Sequence, residues 1–281
     1  MSGRKRILLA LPVSVAIFIF VSCNTIKERT YELNTPLLAE ESSLRIVLVS
    51  DLHSTIFGKN QSKLIEKIKN INPDLIILSG DILDDKVPHL GTELLLSGIN
   101  NILPIYYATG NHEYWSRDIQ SIRNLLQSYN VNILSDNYVQ ININNNEIIL
   151  AGIEDPDKKR YETPEYNQNE SMEASFRELD GMELLKILIA HRPEKIEIYK
   201  GYSFNLILSG HTHGGQVRIP PVLNGLYAPN QGLFPKYAGG LYRHGETVHI
   251  ISRGLSVNPR LPRIFNPPEL VVIVIKSTTP T

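Results

Sequence analysis

One cysteine, Cys23, in 281 residues excludes an internal disulfide, so an oxidising compartment would add no covalent staple. Charge of one sign is not in excess either. The chain has 28 Lys and Arg against 29 Asp and Glu and a pI near 6.7. That balance gives no footing to a general nucleic-acid binder, which carries a basic patch or stripe. An anionic substrate would have to be held locally, by a few residues or by metal. Long apolar runs are missing too: the longest, Ile7 to Val21, is short of the roughly 20 residues a helix needs to cross a bilayer. There is no internal repeat and no low-complexity tract. What is present, 42% hydrophobic and 20% charged residues, suits one large globular domain or two small ones with a sizeable core.

The run Ile7 to Val21 follows Arg4, Lys5 and Arg6 and contains Pro12, the make-up of a signal-peptide core. Cys23 comes directly after it, behind the small residue Ser22. This arrangement resembles the lipobox of bacterial lipoproteins, where that cysteine is lipidated and becomes the new N-terminus. Residues 1–23 therefore read either as a lipoprotein signal with Cys23 as its lipidation site or as an uncleaved signal anchor with an incidental cysteine. In both cases the basic residues ahead of the apolar run leave the N-terminus inside. The expected location is membrane-associated, with the domain outside the cytoplasm. Residues 24–43, polar, mixed in charge and broken by Pro36, read as a tether to a domain spanning 44–281.

From Leu44 onward, short apolar runs alternate with helical patterns. "LRIVLVS" (44–50), "DLIILSG" (74–80) and "PIYYATG" (104–110) read as buried strands, separated by "QSKLIEKIKNI" (61–71) and "LGTELLLSGINNI" (90–102) at helical spacing. Strand, helix, strand, helix, strand points to parallel pairing in an α/β layer. After a further helix at 116–129, the segments "VNIL", "YVQINI", "EIILAGI", "KILIAH", "FNLILSG", "TVHIISRG" and "LVVIVI" are mostly strands. The expected architecture is an αββα sandwich of four layers, two mixed sheets flanked by helices. Residues 155–183 are the polar exception and read as a solvated surface excursion, with a short helix in "NESMEASFREL".

Polar clusters close five of these strands: "SDLH" (50–53), "SGDILD" (79–84), "TGNHEYW" (109–115), "AHRP" (190–193) and "SGHTH" (209–213). Ligands of α/β sheets bind beyond the carboxyl ends of the strands, where such loops converge. Core packing does not explain five apolar strands that deliver Asp, Asn and His to one rim. Carboxylate, amide oxygen and imidazole together suit borderline divalent ions such as Mn, Fe or Zn, whereas an all-oxygen cage would suit Ca or Mg. The outer residues of "DLH" and "HTH" are two apart, so an extended segment puts them on one face.

In order and setting, "DLH", "GDILD", "GNHE", an isolated histidine after a strand and "GHTH" resemble the calcineurin-like metallophosphoesterases, from about Arg45 to the end. "GHTHGGQVRIP", "YAGGLYR" and "FNPPEL" are similar to one bacterial branch, the membrane-associated phosphodiesterases that include UDP-2,3-diacylglucosamine pyrophosphatases. The resemblance implies that Asp51, His53 and His213 bind a first metal, that Asp81 bridges, and that Asn111, His191 and His211 complete a second. It implies that His112 is no ligand but faces the substrate as the general acid, and that Asp84 orients a ligand from behind. The two ions would hold a bridging hydroxide for direct attack on phosphorus. No serine or cysteine nucleophile is required.

His89, His244 and His249 read as surface or packing residues. Tyr114 and Trp115 either line the pocket or pack beneath it, and Arg218, Arg243, Arg253 and Arg260 are candidates for gripping a second phosphate. The stretch 221–243, rich in Pro, Gly, Leu and aromatics, either packs on its own sheet or exposes a patch for lipid. The leading expectation is a metal-dependent phosphodiesterase or pyrophosphatase acting on a lipid-linked or nucleotide substrate at a membrane surface. Diacylglucosamine pyrophosphatases act on a cytoplasmic precursor, which the outward orientation disfavours. A phosphomonoesterase and a non-catalytic lipoprotein scaffold are the alternatives. Oligomeric state is not encoded in any motif.

Overall fold

The computed structural model describes residues 25–100, 102–257 and 262–278. The signal or anchor segment 1–23, with Cys23, lies outside them, as does Arg260. Among the described residues no helix is long and apolar enough to cross a membrane.

The first sheet contains β1 (Lys27–Thr35), β2 (Ser43–Val49), β3 (Leu75–Ser79), β4 (Ile105–Ala108), β5 (Val131–Ile133) and β14 (Glu269–Ser277), in the order β1-β14-β2-β3-β4-β5. The second contains β6 (Asn137–Ile143), β7 (Asn146–Gly152), β8 (Leu185–Ile189), β9 (Leu206–Ser209), β12 (Gly240–His244) and β13 (Thr247–Ile251), in the order β12-β13-β9-β8-β7-β6. A two-residue pair, β10 (Tyr227–Ala228) and β11 (Gly232–Leu233), stands apart. Strands β2, β3, β4 and β5 are parallel, joined by α1 (Ser62–Ile71), α2 (Leu90–Ile99), and α3 (Asn111–Trp115) with α4 (Ile119–Ser128). α5 (Lys158–Tyr161) lies against α3, and the second sheet is covered by α6 (Gln168–Phe176) and α7 (Ile196–Tyr199).

Strand period explains the layering. Ile46 and Leu48 of β2 face the second sheet and meet Ile148, Leu150, Ile187 and Leu208 in one cluster. Their neighbours Val47 and Val49 face outward and pack with Leu64 and Ile68 of α1 and Leu95 and Leu96 of α2. On the far side, Ile149, Leu188 and Ile207 meet Met172 and Phe176 of α6. Strands buried on both faces read as continuous apolar runs rather than alternations, which is why the sequence marks them so clearly. The structure has the expected four layers.

Three expectations change. Residues 24–43, read as a tether, contain β1, which pairs in parallel with β14 over nine residues. β1 is an edge strand with only Leu33 buried, so its sequence carries no apolar alternation. Its charges suit an exposed edge, with Glu28 bonded to Lys67 and Glu32 to Lys276, both at 2.7 Å. The excursion at 155–183 is part of the outer layer, with Met172, Phe176 and Leu179 buried. Within α6 the buried apolar residues are Met172 and Phe176, and Leu179 follows in the next turn. The stretch 221–243 divides: Ala228, Tyr237 and Ala238 are buried while Val222, Leu233 and Phe234 are exposed, and its last residues begin β12, which the sequence reading did not separate.

Candidate metal centre

The loops leaving β2, β3, β4, β8 and β9 meet at the carboxyl ends of both sheets. Five of the candidate ligands there have left-handed backbone: Asp51 (φ 49°), His53 (46°), Asp81 (51°), His211 (70°) and His213 (48°). Such a conformation costs a non-glycine residue roughly 1–3 kcal/mol and persists where surroundings impose it. It turns each side chain sharply off its strand axis into the rim. The glycines beside them answer to close approach. A Cβ on Gly210 would overlap Ser50 Oγ and Asp51 Oδ2, and one on Gly80 (φ 80°) would stand 2.5 Å from His191 Nδ1.

Asp81 is the hub. Its Oδ2 is 3.2 Å from His191 Nε2 and 3.6 Å from His53 Nε2, while Asp51 Oδ1 is 3.5 Å from His213 Nε2. Donor atoms of Asp51, His53, Asp81 and His213 lie within 4.8 Å of one another, and so do those of Asp81, His191 and His211. Two donor groups therefore share one carboxylate. Asn111, the first residue of α3, has its Oδ1 buried without a partner.

The rings are aimed from behind. His53 Nδ1 pairs with Asp84 Oδ2 at 2.9 Å, His191 Nδ1 donates to Ser79 O at 2.7 Å, and His213 Nδ1 pairs with Ser256 Oγ at 2.8 Å. A histidine whose outer nitrogen is so held presents the other one as a ligand. Asp51 accepts from Ser50 Oγ at 2.6 Å and from the His211 amide at 2.9 Å.

The electrostatics match a site built around positive charge. Burial works against the Asp81 carboxylate, but His191, His112 and His53 outweigh it and hold it well below the usual carboxylate range. Burial, with Asp81 adding, pushes Asp51 up. Burial and the neighbouring His191 and Arg192 push His211 well down, and burial with His53 and Arg263 does the same to His213. Both are thus neutral, the form that ligates metal.

Residues 44–215 match the family model of the calcineurin-like phosphoesterases. A metallophosphoesterase of Campylobacter jejuni is 30% identical over 291 residues, covering 95% of this chain and 69% of its own. The chain belongs to the calcineurin-like phosphoesterase family. A zebrafish transmembrane protein with a metallophosphoesterase domain is 28% identical, over 84% of this chain and 54% of its own, so the chain spans about half the length of that relative. The solved NAD nucleotidase of Haemophilus influenzae shares the fold, with a TM-score of 0.51 at 16% identity over 77% of this chain and 46% of its own.

The donor set of this phosphoesterase fits a pair of divalent cations. His53 Nε2, Asn111 Oδ1, His191 Nε2 and His211 Nε2 are all buried with no hydrogen-bond partner. Leaving such atoms unsatisfied costs about 1–3 kcal/mol each, so four of them around a shared carboxylate mark a place for cations. The clustered residues and the family together indicate a divalent two-metal site.

His112 stands outside both donor groups, edge-on to His53 with ring centres 4.3 Å apart and 4.5 Å from the Trp115 ring. Its Nδ1 pairs with Asp85 Oδ1 at 2.6 Å. The sequence reading passed over Asp85, although a second acid directly after "GDILD" was a visible signal. It also gave no role to Glu113. That buried carboxylate accepts from the amides of Asp81, Ile82, Leu83 and Gly110 at 2.7–3.2 Å and stitches two of the loops together. Burial and Asp81 raise its pKa to about 7. Tyr114 packs beneath the loop, bonded to Glu154 at 2.6 Å, and Trp115 lines the cavity. Arg253 is buried against Glu269 at 2.6 Å and belongs to the framework. His249 is fully buried in packing.

A cavity of about 670 Å³ opens over the centre, lined among others by His53, His112, His213, Lys86, Trp115 and Tyr227. Arg263, which donates to Ser256 O and Arg253 O, adds a cation to that wall.

Proposed function

We propose that this phosphoesterase hydrolyses phosphodiester or pyrophosphate bonds of lipid-linked or nucleotide substrates at a membrane surface. The observation that carries the hydrolytic reading is the ring of buried, unpartnered donors about Asp81. Asp51, His53 and His213 would hold one cation, Asn111, His191 and His211 the other, with Asp81 between them. Bound there, two divalent cations supply Lewis acidity for the phosphoryl oxygens and a nucleophile near neutral pH. The chain's own residues supply the remainder. Asp85 holds His112 Nδ1 at 2.6 Å, which supports a role in which the ring, through Nε2, would give its proton to the leaving oxygen. Trp115, Tyr227, Val87 and Val257 wall the cavity beside it, which favours a leaving group with apolar bulk and thus a diester over a bare monoester. The resemblance of "GHTHGGQVRIP", "YAGGLYR" and "FNPPEL" to the diacylglucosamine pyrophosphatase branch supports the pyrophosphate option.

A turnover screen tests this. Purified full-length protein loaded in turn with Mn, Zn, Fe and Mg should cleave bis-nitrophenyl phosphate faster than nitrophenyl phosphate, with UDP-diacylglucosamine as the branch-specific substrate. Preference for the monoester would replace the diester reading by that of a phosphomonoesterase.

A further inference from the structure

The end of the molecule that holds the metal centre also carries an apolar rim. Ile219, Val222, Tyr227, Leu233, Phe234 and Phe265 are each more than half exposed, and they are six of the twelve exposed large apolar side chains among the described residues. Backbone contacts gather them. Tyr227 faces Leu233 across β10 and β11, the Phe234 amide donates to Leu226 O, Ile219 pairs with Leu223, and Val217 pairs with Ile264 beside Phe265. An apolar surface this concentrated marks a binding face. The stretch of chain that supplies five of the six is one-sided in charge. Between Glu197 and Glu246 the chain has no Asp or Glu but has Lys200, Arg218, Lys236 and Arg243, of which Arg218 and Lys236 bracket the exposed loop residues.

Topology brings the N-terminus to the same place. β14 runs antiparallel to β2 and parallel to β1, so β1 starts at the sheet end where β2 delivers Asp51. The Lys27 amide donates to Pro268 O at 2.8 Å, three residues past Phe265. Residues 22–26 alone separate the apolar run ending at Val21 from Lys27. Fully extended, such a link reaches roughly 20 Å at about 3.5 Å per residue. With β1 folded into the sheet there is no long tether to let the domain turn away.

We propose that this rim seats on an anionic lipid bilayer, with the six apolar side chains in the headgroup region and Arg218 and Lys236 against its negative charge. Seated so, the cavity between Tyr227 and His112 faces the headgroups, and a lipid phosphoester reaches His112 without leaving the surface. The inference deepens the proposed action at a membrane surface. It rests on Ile7 to Val21 entering that membrane and not on the chemistry at the metal centre.

The test uses the full chain in lipid nanodiscs. Cys23→Ser removes the native thiol, and Leu233→Cys then takes a single environment-sensitive fluorophore. Met182→Cys, before β8 and thus at the opposite end of the second sheet from the site, is the control. The label at 233 should shift to the blue in discs containing phosphatidylglycerol, less in pure phosphatidylcholine, with the difference falling as salt rises; the label at 182 should not shift. Adding Val222→Asp and Phe234→Asp should abolish the shift while turnover of soluble bis-nitrophenyl phosphate persists. An unshifted label at 233 in anionic discs overturns the proposal. So does a shift that depends on protein concentration and not on lipid charge, since that assigns the rim to a second copy of the chain. Absence of soluble turnover with the shift intact would refute the hydrolase reading and leave the docking surface standing.

Discussion

The two halves of the metal centre share Asp81 and differ in almost everything around it. The His191 side chain is wholly enclosed and His211 is 3% exposed, whereas the His53 and His213 side chains are 9% and 17% exposed and stand in the cavity wall. The enclosed half is held by strand ends and a backbone carbonyl, the open half by the side chains of Asp84 and Ser256. His112 lies on the open side, edge-on to His53 in the wall of the cavity.

Asp81→Asn should remove the distinction altogether, because both halves depend on that carboxylate. Turnover should fall by on the order of 10³-fold or more, and elemental analysis should find neither half retaining its full metal. His112→Gln should cost about 10²–10⁴-fold in kcat, as loss of a general acid does, with metal content unchanged. Metal lost from that variant would place His112 among the ligands. Asp84→Asn should act on the open half alone, lowering metal affinity or activity about 10–100-fold. Chelator titration should then show one ion released early and one late; equal loss of both would erase the asymmetry.

The smallest effect concerns the support behind the enclosed half. His249 lies 2.9 Å from Ser209 Oγ, two residues before His211, and burial followed by the nearby His244 lowers its pKa from 6.5 to about 3. A depressed folded pKa means that the unfolded chain takes the proton first. Stability from this group is therefore complete above about pH 6.5 and is lost as pH falls towards about 3, with a limiting slope of about 1.4 kcal/mol per pH unit. His249→Leu should flatten the acid limb of stability measured by urea unfolding between pH 7 and pH 5. An unchanged limb would show that His249 is not its source.

The core strands were legible because they are buried on both faces and leave unbroken apolar runs, as in "LIILS" of β3. The clustering of Asp51, His53, Asp81, His191, His211 and His213 was legible because such residues recur at the ends of those runs. β1 was not legible: an edge strand held by its backbone ladder needs no apolar alternation, and KERTYELNT has none. α6 was underestimated for a related reason, since its anchoring rests on Met172 and Phe176 alone.

By itself, then, the sequence determined the layered αββα plan and the residue types gathered at its rim, because burial pattern and donor chemistry are local properties of each strand and the loop after it. Tertiary structure decided the partnerships. Asp84 and Asp85 are adjacent and chemically identical, yet the turn after β3 gives Asp84 to His53 and Asp85 to His112. It also decided that the chain enters the domain beside the apolar rim, since that depends on β1 pairing with a strand more than two hundred residues away.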